Sequence, residues 1–366
     1  MYIKMILTNG FDPDPRVYKE AKVLVDEGHD VEILCWDRES KYLESEIEVS
    51  GIKVKRFHSY SRYGGGLKQL KSYISFIKQV QAYLNEKKID IIHAHDLDGA
   101  IVGAILKRNS MKLIWDMHEF YNGFNYSLIR KMMNQIAASY CFKKADGFLF
   151  VVDEQNEKYA KFIKHKPVIT IPNTAEFQLL GNIEKTQSQK TRIAFIGAVR
   201  DFERLKLLMD VGEKFENIII MIHGAGTALD QIMQIKDSYS NTIVTGRFSY
   251  DQIPDLYKNT DVIYAVYDVT QENVRNAFPV KVYEAIVSGT PVIVSKDTLI
   301  GKFVEDYNIG YSINCNSHTE LINVLKEIQD RNKFETKIEA VDKLKQIYTW
   351  EKTKLSLIDY YQKFII

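Results

Sequence analysis

The chain has 366 residues, of which 45% are hydrophobic and 27% are charged. This length suits two domains of ordinary size, and the composition excludes a disordered or collagen-like protein. Lys and Arg total 49 against 48 Asp and Glu, so the near-zero net charge argues against a protein that coats nucleic acid.

The first half of the chain, residues 1–177, alternates short β-rich apolar runs with amphipathic helices. The first strand, IKMILT, leads into Asp14 and Pro15, which are typical of a helix N-cap followed by proline at the first helical position. Gly28 then ends the helix. The other predicted strands are VEILCW, IKVKRF, IDIIHA, KLIWD, GFLFVV and VITI. Strands that alternate with helices form right-handed β-α-β units, so the sequence predicts a doubly wound parallel α/β sheet.

The polar segment 178–191 interrupts this alternation and is predicted to link two domains. The alternation restarts over 192–349 with RIAFIG, NIIIMIHG, NTIVTG, DVIYAVY and TPVIVS, which predicts a second Rossmann-like domain. The tail at 350–366 is predicted to be a helix that docks through one apolar face. That face carries Leu355, Ile358 and Tyr361.

The residues that directly follow the strands are the candidate functional residues, because open α/β sheets bind ligands at the carboxyl ends of their strands. Alternation along IDIIHA places His93 and His95 on the same side of the sheet. A zinc site would need a third ligand at a suitable spacing, so no metal site is predicted. His118 follows KLIWD and is either a ligand-facing residue or a hydrogen-bonded structural histidine.

Gly10 ends the first strand and leads into a helix N-terminus. It is either a turn glycine or a point where the backbone approaches an anionic ligand. The sequence there lacks the GxGxxG pattern that is typical of dinucleotide-binding dehydrogenases, which argues against a dehydrogenase.

The most informative segment is NAFPVKVYEAIVSGTP at 276–291. Pro279 opens a helix on which Lys281 and Glu284 share a face. A lysine in the first turn of a helix forms an anion site suited to a diphosphate, and a carboxylate one turn later can accept hydrogen bonds from a ribose diol. The same two residues could also form a surface ion pair, and their spacing alone does not decide between these interpretations.

The order of several segments along the chain resembles that of the family 4 glycosyltransferases, which have the GT-B fold. These segments are DPRVYKEAKVLVDEGHDVEIL, IIHAHD, KLIWDMHEFY, ITIPNT, RIAFIGAVRDF, MIHGAG, TGRFSYDQIPDLY and FPVKVYEAIVSGTPVIVS. The resemblance spans almost the whole chain, including Trp350 before the final helix. It implies two Rossmann-like domains that face each other across a cleft, with the C-terminal helix returning to the N-terminal domain.

The resemblance also implies a function. An enzyme of this kind transfers a sugar, with retention of anomeric configuration and without a metal or other cofactor, from a UDP- or GDP-sugar to a glycan or lipid-linked acceptor. Cell-surface polysaccharide synthesis is the expected setting. The C-terminal domain would bind the nucleotide sugar, and the N-terminal domain would bind the acceptor.

The resemblance implies site residues wherever a motif of this sequence matches a motif of the family. The implied catalytic residues are His118, Arg200, Lys281 and Glu284. The implied donor-binding residues are Gly10, Gly197, Arg204, Gly224, Gly226, Arg247, Asn276, Pro279 and Val280. The implied acceptor-side residues are Asp14, Arg16 and Glu119. In the favoured mechanism, the diphosphate leaves from the same face of the sugar that the acceptor attacks. The alternative is a double displacement through a carboxylate nucleophile, for which Glu119 and Asp96 are candidates by position.

The sequence departs from the family pattern at two places. Asn276 stands where the family has the first of two glutamates, although Pro279, Lys281 and Glu284 match the P-x-K-x-x-E form of the motif. The usual lysine-glycine pair is Glu203-Arg204, so Arg200 is the favoured partner of the diphosphate. Two alternatives stay open: a nucleotide-sugar epimerase of GT-B fold, and a non-catalytic GT-B partner subunit.

The expected location is the cytoplasm, with peripheral attachment to the inner face of the membrane as a further possibility. Three distant cysteines suit a reducing compartment, and no apolar run is long enough for a signal peptide or a membrane span. Residues 51–150 carry 16 Lys/Arg against 7 Asp/Glu, whereas residues 1–50 carry 6 against 12. The helix near 67–86 combines apolar and lysine stripes, which predicts either an interfacial helix or an ordinary sheet-covering helix. Its stripes are Leu67, Leu70, Ile74 and Ile77 beside Lys68, Lys71 and Lys78, with Tyr63, Tyr73 and Phe76 at headgroup depth.

Overall fold

The computed structural model describes residues 1–12, 14–61 and 67–365, and the side chains of these residues except 67, 68 and 365. The chain divides into two compact units. The first consists of Met1–Pro172 with Lys354–Ile366, and the second of Asn173–Thr353.

The first unit is built on an eight-stranded sheet. Its strands are β1 (Tyr2–Leu7), β2 (Asp30–Asp37), β3 (Ser45–Ile47), β4 (Lys53–His58), β5 (Ile91–His95), β6 (Lys112–Met117), β7 (Gly147–Phe150) and β8 (Val168–Thr170). Their order across the sheet is β3-β4-β2-β1-β5-β6-β7-β8, and every neighbouring pair is parallel except β3 with β4. The first five helices are α1 (Pro15–Asp26), α2 (Leu67–Leu84), α3 (Asp96–Leu106), α4 (Leu128–Lys144) and α5 (Asp153–Ile163).

The two directions of winding decide which face each helix covers. The chain moves one way from β1 to β2 and the other way from β4 through β8. Because such crossovers are right-handed, α1 lies on one face and α2 to α5 lie on the other. As predicted, Asp14 caps α1: its carboxylate accepts a hydrogen bond from the Val17 amide at 3.4 Å, and Pro15 is the first helical residue.

The second unit repeats this architecture with a six-stranded parallel sheet. Its strands are β9 (Thr191–Ile196), β10 (Ile218–His223), β11 (Thr242–Gly246), β12 (Val262–Ala265), β13 (Val292–Ser295) and β14 (Gly310–Ile313), in the order β11-β10-β9-β12-β13-β14. Its helices are α6 (Phe177–Leu180), α7 (Phe202–Gly212), α8 (Leu229–Ile235), α9 (Ile253–Lys258), α10 (Glu272–Asn276), α11 (Val280–Val287), α12 (Leu299–Tyr307), α13 (His318–Gln329) and α14 (Arg331–Leu344). Two short 3-10 turns lie at Lys236–Ser238 and Tyr250–Gln252. Two doubly wound sheets therefore form, as the sequence predicts.

The boundary between the units differs from the predicted one. The predicted linker at 178–191 lies inside the second unit. Leu180 is buried in a core cluster of that unit, and the ammonium of Lys185 donates hydrogen bonds to the carbonyls of Tyr257 and Thr260 at 2.8 and 2.9 Å. The polar composition of this segment conceals these anchors, which are a buried leucine and a half-buried lysine.

The last helix, α15 (Trp350–Ile365), belongs to the first unit from Lys354 onward. Its buried side chains include Leu357, Tyr360 and Tyr361, whereas Leu355 is 58% exposed. The predicted docking face is therefore wrong at Leu355, because the helix is oriented so that Tyr360 and Tyr361 face the sheet.

The predicted interfacial helix is also wrong at Phe76. Phe76 on α2 is fully buried, stacked on Trp36 with ring centroids 5.6 Å apart. It belongs to the core and cannot contact lipid. Tyr63 and the side chains of Leu67 and Lys68 lie outside the described parts of the chain. Among the described residues, no helix is both long and apolar enough to cross a bilayer.

Candidate active site

Close backbone packing joins the carboxyl ends of β9 and β10 in the second unit. Gly197 has φ of 134° and Gly224 has φ of 141°, conformations that favour glycine. A Cβ on Gly224 would lie 1.8 Å from the carbonyl oxygen of Gly197, and one on Gly226 would lie 2.2 Å from that of Val199. Side chains at these positions would push the strand ends apart. The glycines therefore allow the two strand ends to pack closely and leave no side chain at these positions of the sheet edge.

The ammonium of Lys281 lies at the same edge. A Cβ on Gly197 would be 3.2 Å from its Nζ, which is also 3.4 Å from the ring centroid of Phe195. The side chain is buried, and Nζ has no hydrogen-bond partner among the described residues. Burial lowers the pKa of Lys281 to about 7, against the opposing effect of Glu284. Buried polar groups are rarely left without partners, so this ammonium indicates a site for an anion.

Glu284, one turn further along α11, is held by a residue that sequence reasoning missed. The hydroxyl of Tyr257 on α9 lies 2.9 Å from Glu284 Oε2 and 3.0 Å from the carbonyl oxygen of Lys281. Tyr257 is fully buried, and burial together with the Glu284 carboxylate keeps the pKa of its hydroxyl well above the usual value. Tyr257 thus fixes the Glu284 carboxylate about one turn after Lys281 on the same helix.

The two arginines near the end of β9 differ in their contacts. Arg200 is exposed and makes no hydrogen bond or ion pair with any residue that the structure describes. Arg204 donates to the carbonyl of Cys315 at 3.1 Å and to the side chain of Asn316. The guanidinium of Arg204 is therefore committed to the loop after β14, which leaves Arg200 as the arginine available to a ligand.

The remaining predicted donor-binding residues lie on loops and helix ends of the second unit. Asn276 ends α10 and donates to the carbonyl of Glu272 at 3.1 Å. Pro279 caps α11, and Val280, in its first turn, is 42% exposed. Arg247 is exposed directly after β11.

In the first unit, His118 lies at the carboxyl end of β6 between two carboxylates. Its Nε2 is 2.9 Å from Asp116 Oδ2, and its Nδ1 is 3.5 Å from Asp96 Oδ2. Burial alone would lower the pKa of His118, but the two carboxylates outweigh it and raise the pKa to about 10. The backbone amide of His118 also donates to Asp96 at 3.2 Å. His118 is therefore an imidazolium at neutral pH, which can donate protons in hydrogen bonds but cannot act as a base.

Asp116 connects His118 to a buried polar cluster. Arg16 donates to both of its carboxylate oxygens, at 2.9 and 2.8 Å, and His95 Nδ1 lies 3.2 Å away. Burial would raise the pKa of Asp116, but Arg16 and His118 hold it well below the usual value. Arg16 was predicted on the acceptor side, yet it is only 7% exposed and lies inside the unit. Its role in this structure is to hold Asp116.

Part of this cluster has the composition of a metal site. Candidate ligand atoms of Glu20, His93, His95 and Asp116 lie within 4.8 Å of one another. The predicted same-side placement of His93 and His95 is confirmed, since their rings stack with centroids 4.5 Å apart. However, Arg16 binds Asp116 and also lies 3.1 Å from Glu20 Oε1. Burial raises the pKa of Glu20 to about 8, so at neutral pH the Arg16 guanidinium chiefly balances the carboxylate of Asp116, one of the four candidate ligands.

Two other predicted residues of the first unit, Gly10 and Asp14, line a cavity of about 420 Å³ at the ends of β1 and β2. Its lining includes Gly10, Asp14, Asp37, Arg38 and Tyr42. A Cβ on Gly10 would meet the Tyr42 ring at 3.1 Å, so a larger residue would narrow the cavity. Glu119, which follows His118, is exposed.

Comparison with known protein families decides the identity. A model described as Glycosyltransferase Family 4 matches residues 16–177, and a model described as Glycosyl transferases group 1 matches residues 179–344. The chain belongs to the family 4 glycosyltransferases. The family, the GT-B fold and the enzyme class predicted from the sequence are thus confirmed. No curated protein matches the sequence significantly.

Solved structures resemble the glycosyltransferase over its full length. Sucrose-phosphate synthase of Thermosynechococcus elongatus has a TM-score of 0.80 at 14% identity, over 100% of this chain and 99% of that chain. HepE of Anabaena in complex with UDP-glucose has a TM-score of 0.77 at 16% identity, over 99% and 100%. A glycosyltransferase of Rickettsia africae has a TM-score of 0.71 at 12% identity, over 100% and 98%. At these identities the likeness shows the fold.

The residues that sequence reasoning missed gave different signals. Asp116 precedes His118 by two positions at a strand end, so alternation places both on one side of the sheet. That spacing could have identified the pair. Tyr257 gave no signal of this kind, because it reaches Glu284 only through the packing of α9 on α11.

Proposed function

We propose that this glycosyltransferase is a retaining, metal-independent enzyme that moves a sugar from a UDP- or GDP-sugar to a glycan or lipid-linked acceptor, in the synthesis of a cell-surface polysaccharide. The observation that carries the proposal is the buried ammonium of Lys281 without a hydrogen-bond partner among the described residues. Burying such a charge costs several kcal/mol unless an anion compensates it, and a diphosphate is such an anion. HepE, solved with UDP-glucose, is a precedent for this class of ligand on this fold.

The donor would lie at the carboxyl edge of the second sheet. Gly197 and Gly224 leave that edge bare, so a diphosphate can approach the backbone there. Lys281 and the exposed Arg200 would neutralise its charge. Glu284, oriented by Tyr257, would accept hydrogen bonds from the ribose hydroxyls.

The proposed reaction is a substitution on one face of the sugar. The bond between C1 and the diphosphate oxygen breaks while the acceptor oxygen forms its bond to C1 from the same side. The acceptor proton passes to the leaving phosphate oxygen. Lys281 and Arg200 would stabilise the negative charge that grows on the diphosphate, the role that a divalent metal plays where the protein supplies no such charge.

His118 would bind the transferred sugar as a hydrogen-bond donor. Its Nε2 is occupied by Asp116, whereas the contact of Nδ1 with Asp96 is long, at 3.5 Å, and Asp96 is about half exposed. The Nδ1–H group is therefore the one that can turn to a ligand. Because the carboxylate of Asp96 also accepts the amide of His118, Asp96 is a poor candidate for a covalent nucleophile.

A panel of UDP- and GDP-sugars tests the proposal. The enzyme should bind one of them and release the nucleoside diphosphate when an acceptor is present, with the α or β configuration of the donor retained in the product as measured by NMR. Isomerised or hydrolysed donor without any acceptor would indicate an epimerase instead. Binding without turnover across a broad set of acceptors would indicate the partner subunit, for which Asn276 is the sequence argument.

A further inference from the structure

The side chain of Lys281 crosses the carboxyl edge of the second sheet. Successive residues of β9 face opposite sides of this sheet, so Phe195 belongs to one core cluster, whereas its neighbours Ala194 and Ile196 belong to another. Helix α11, which carries Lys281, packs on the side of the second cluster. The Lys281 ammonium nevertheless lies over the ring of Phe195, with Nζ 3.4 Å from the ring centroid. The lysine therefore passes over the end of β9 from one side of the sheet to the other.

Gly197 provides the room for this crossing. It directly follows β9, and a Cβ at this position would lie 3.2 Å from Nζ and 3.4 Å from Cε of Lys281. A larger residue would therefore compete with the lysine for the space above the strand end. The glycine thus serves the position of the ammonium as well as the close packing of the strand ends.

Two aromatic rings lie near the ammonium at the end of this path. The ring centroid of Tyr267 is 5.4 Å from Nζ, and the Tyr267 and Phe195 rings meet edge to face with centroids 6.3 Å apart. Nζ makes no hydrogen bond to any residue that the structure describes. The negative face of an aromatic ring attracts an ammonium, most strongly where water is excluded. The rings therefore hold the charge while its hydrogen-bonding capacity stays unused.

A neutral ring suits this position better than a carboxylate would. A carboxylate in contact with Nζ would form an ion pair that an incoming diphosphate has to break, and its own negative charge would repel the diphosphate. The ring of Phe195 carries no charge and accepts no conventional hydrogen bond. The three N–H donors of the Lys281 ammonium thus stay available to an anion.

We propose that Phe195 is a positioning residue of the donor site, whose ring holds the Lys281 ammonium at the carboxyl edge of the sheet for the diphosphate of the donor. The proposal rests on the proposed function for the identity of the anion. Phe195 is only 2% exposed, so it acts through Lys281 and not on the donor itself.

This contact has a consequence for the pH dependence of donor binding. Burial lowers the pKa of Lys281 to about 7, and Glu284 opposes this effect. Burial raises the pKa values of the Tyr257 and Tyr267 hydroxyls, so these two neighbours stay neutral. Because the Phe195 ring stabilises only the protonated lysine, its removal should lower the pKa of Lys281 further. Binding above about pH 7 would then require proton uptake at a greater cost, whereas at about pH 5.5 the lysine would already be largely charged.

The test is calorimetric titration of the full chain with UDP and GDP at two pH values. Phe195→Leu, which keeps an apolar side chain but removes the ring, should bind nucleotide about 5- to 30-fold more weakly than the wild type at about pH 8.5. At about pH 5.5 its affinity should be within about twofold of the wild-type value. Comparing the two proteins at each pH cancels the titration of the nucleotide itself. The matched control Ile193→Ala removes packing from the same core cluster, two positions earlier on β9, and should show no such dependence on pH.

A second measurement uses the wild type without nucleotide. In NMR spectra of the enzyme labelled with 13C-lysine, the ring current of Phe195 should shift the side-chain protons of Lys281 upfield, and Lys281→Met identifies their signal. An unshifted signal would overturn the proposal, as would a loss of affinity in Phe195→Leu that is equal at both pH values. A wild type that shows the upfield signal but binds neither UDP nor GDP would refute the proposed function, while the contact between Phe195 and Lys281 would stand.

Discussion

Replacing Lys281 with methionine should stabilise the ligand-free enzyme and weaken its binding of the donor nucleotide. Burial lowers the pKa of Lys281 from 10.5 to about 7, which corresponds to about 5 kcal/mol against the charged form in the folded chain. Replacement of a buried charge by an apolar side chain of similar size typically returns about 1–4 kcal/mol. Loss of a hydrogen bond to a charged diphosphate should cost about 1.5–3 kcal/mol of binding free energy.

The effect on stability should depend on pH with a definite sign. Between about pH 7 and 10.5 the unfolded chain keeps a proton on Lys281 that the folded chain has lost, so the contribution of this group to wild-type stability rises with pH across this window. Lys281→Met lacks this contribution. Its advantage over the wild type should therefore be largest at and below about pH 7 and should disappear toward pH 10.5.

Lys185 provides the matched control. Burial also lowers its pKa to about 7, but its ammonium donates hydrogen bonds to the carbonyls of Tyr257 and Thr260. Lys185→Met leaves those carbonyls without a partner and should lower the midpoint of thermal unfolding at every pH. Scanning calorimetry measures both midpoints, and titration with UDP or GDP measures affinity. The reasoning fails if Lys281→Met lowers the midpoint at about pH 6, as Lys185→Met should, or binds nucleotide as tightly as the wild type.

Four further predictions concern single groups. Tyr257→Phe should raise the donor KM about 3- to 10-fold with little change in kcat, because it frees the Glu284 carboxylate; an unchanged KM in steady-state assays would contradict this. Asp116→Asn should destabilise the first unit by about 3–5 kcal/mol in urea unfolding, since Arg16 and His118 lose their buried counter-ion; a loss below about 1 kcal/mol would show that the pair is not needed. The contribution of His118 to stability should fall as pH rises from 6.5 to about 10, because folded His118 holds its proton over this window, so the difference between the thermal midpoints of the wild type and His118→Asn should narrow toward pH 10. Turnover should be the same in EDTA as in added magnesium or manganese, and loss of turnover on chelation would refute metal independence.

The sequence predicts the parts of this enzyme that depend on short-range periodicity. Alternation along β5 places His93 and His95 together, and helical spacing places Lys281 near Glu284. The order of strands and helices is sufficient to predict two doubly wound sheets. These features need no knowledge of which distant elements pack together.

Features that depend on tertiary packing escaped prediction. Arg16 carries no sequence signal that distinguishes a ligand-facing arginine from one buried against Asp116, a hundred residues away. Tyr257 acts on Glu284 from another helix, and the rotation of α15 that buries Leu357 and exposes Leu355 follows from contacts with the sheet.

The most direct test of the proposed donor site is a crystal structure of the enzyme with the nucleoside diphosphate of its donor. Diphosphate oxygens should lie within hydrogen-bond distance of Lys281 Nζ and of the Arg200 guanidinium, and the ribose hydroxyls should donate to the carboxylate of Glu284. A diphosphate bound elsewhere, with the Lys281 ammonium still buried without a partner, would refute the proposed donor site.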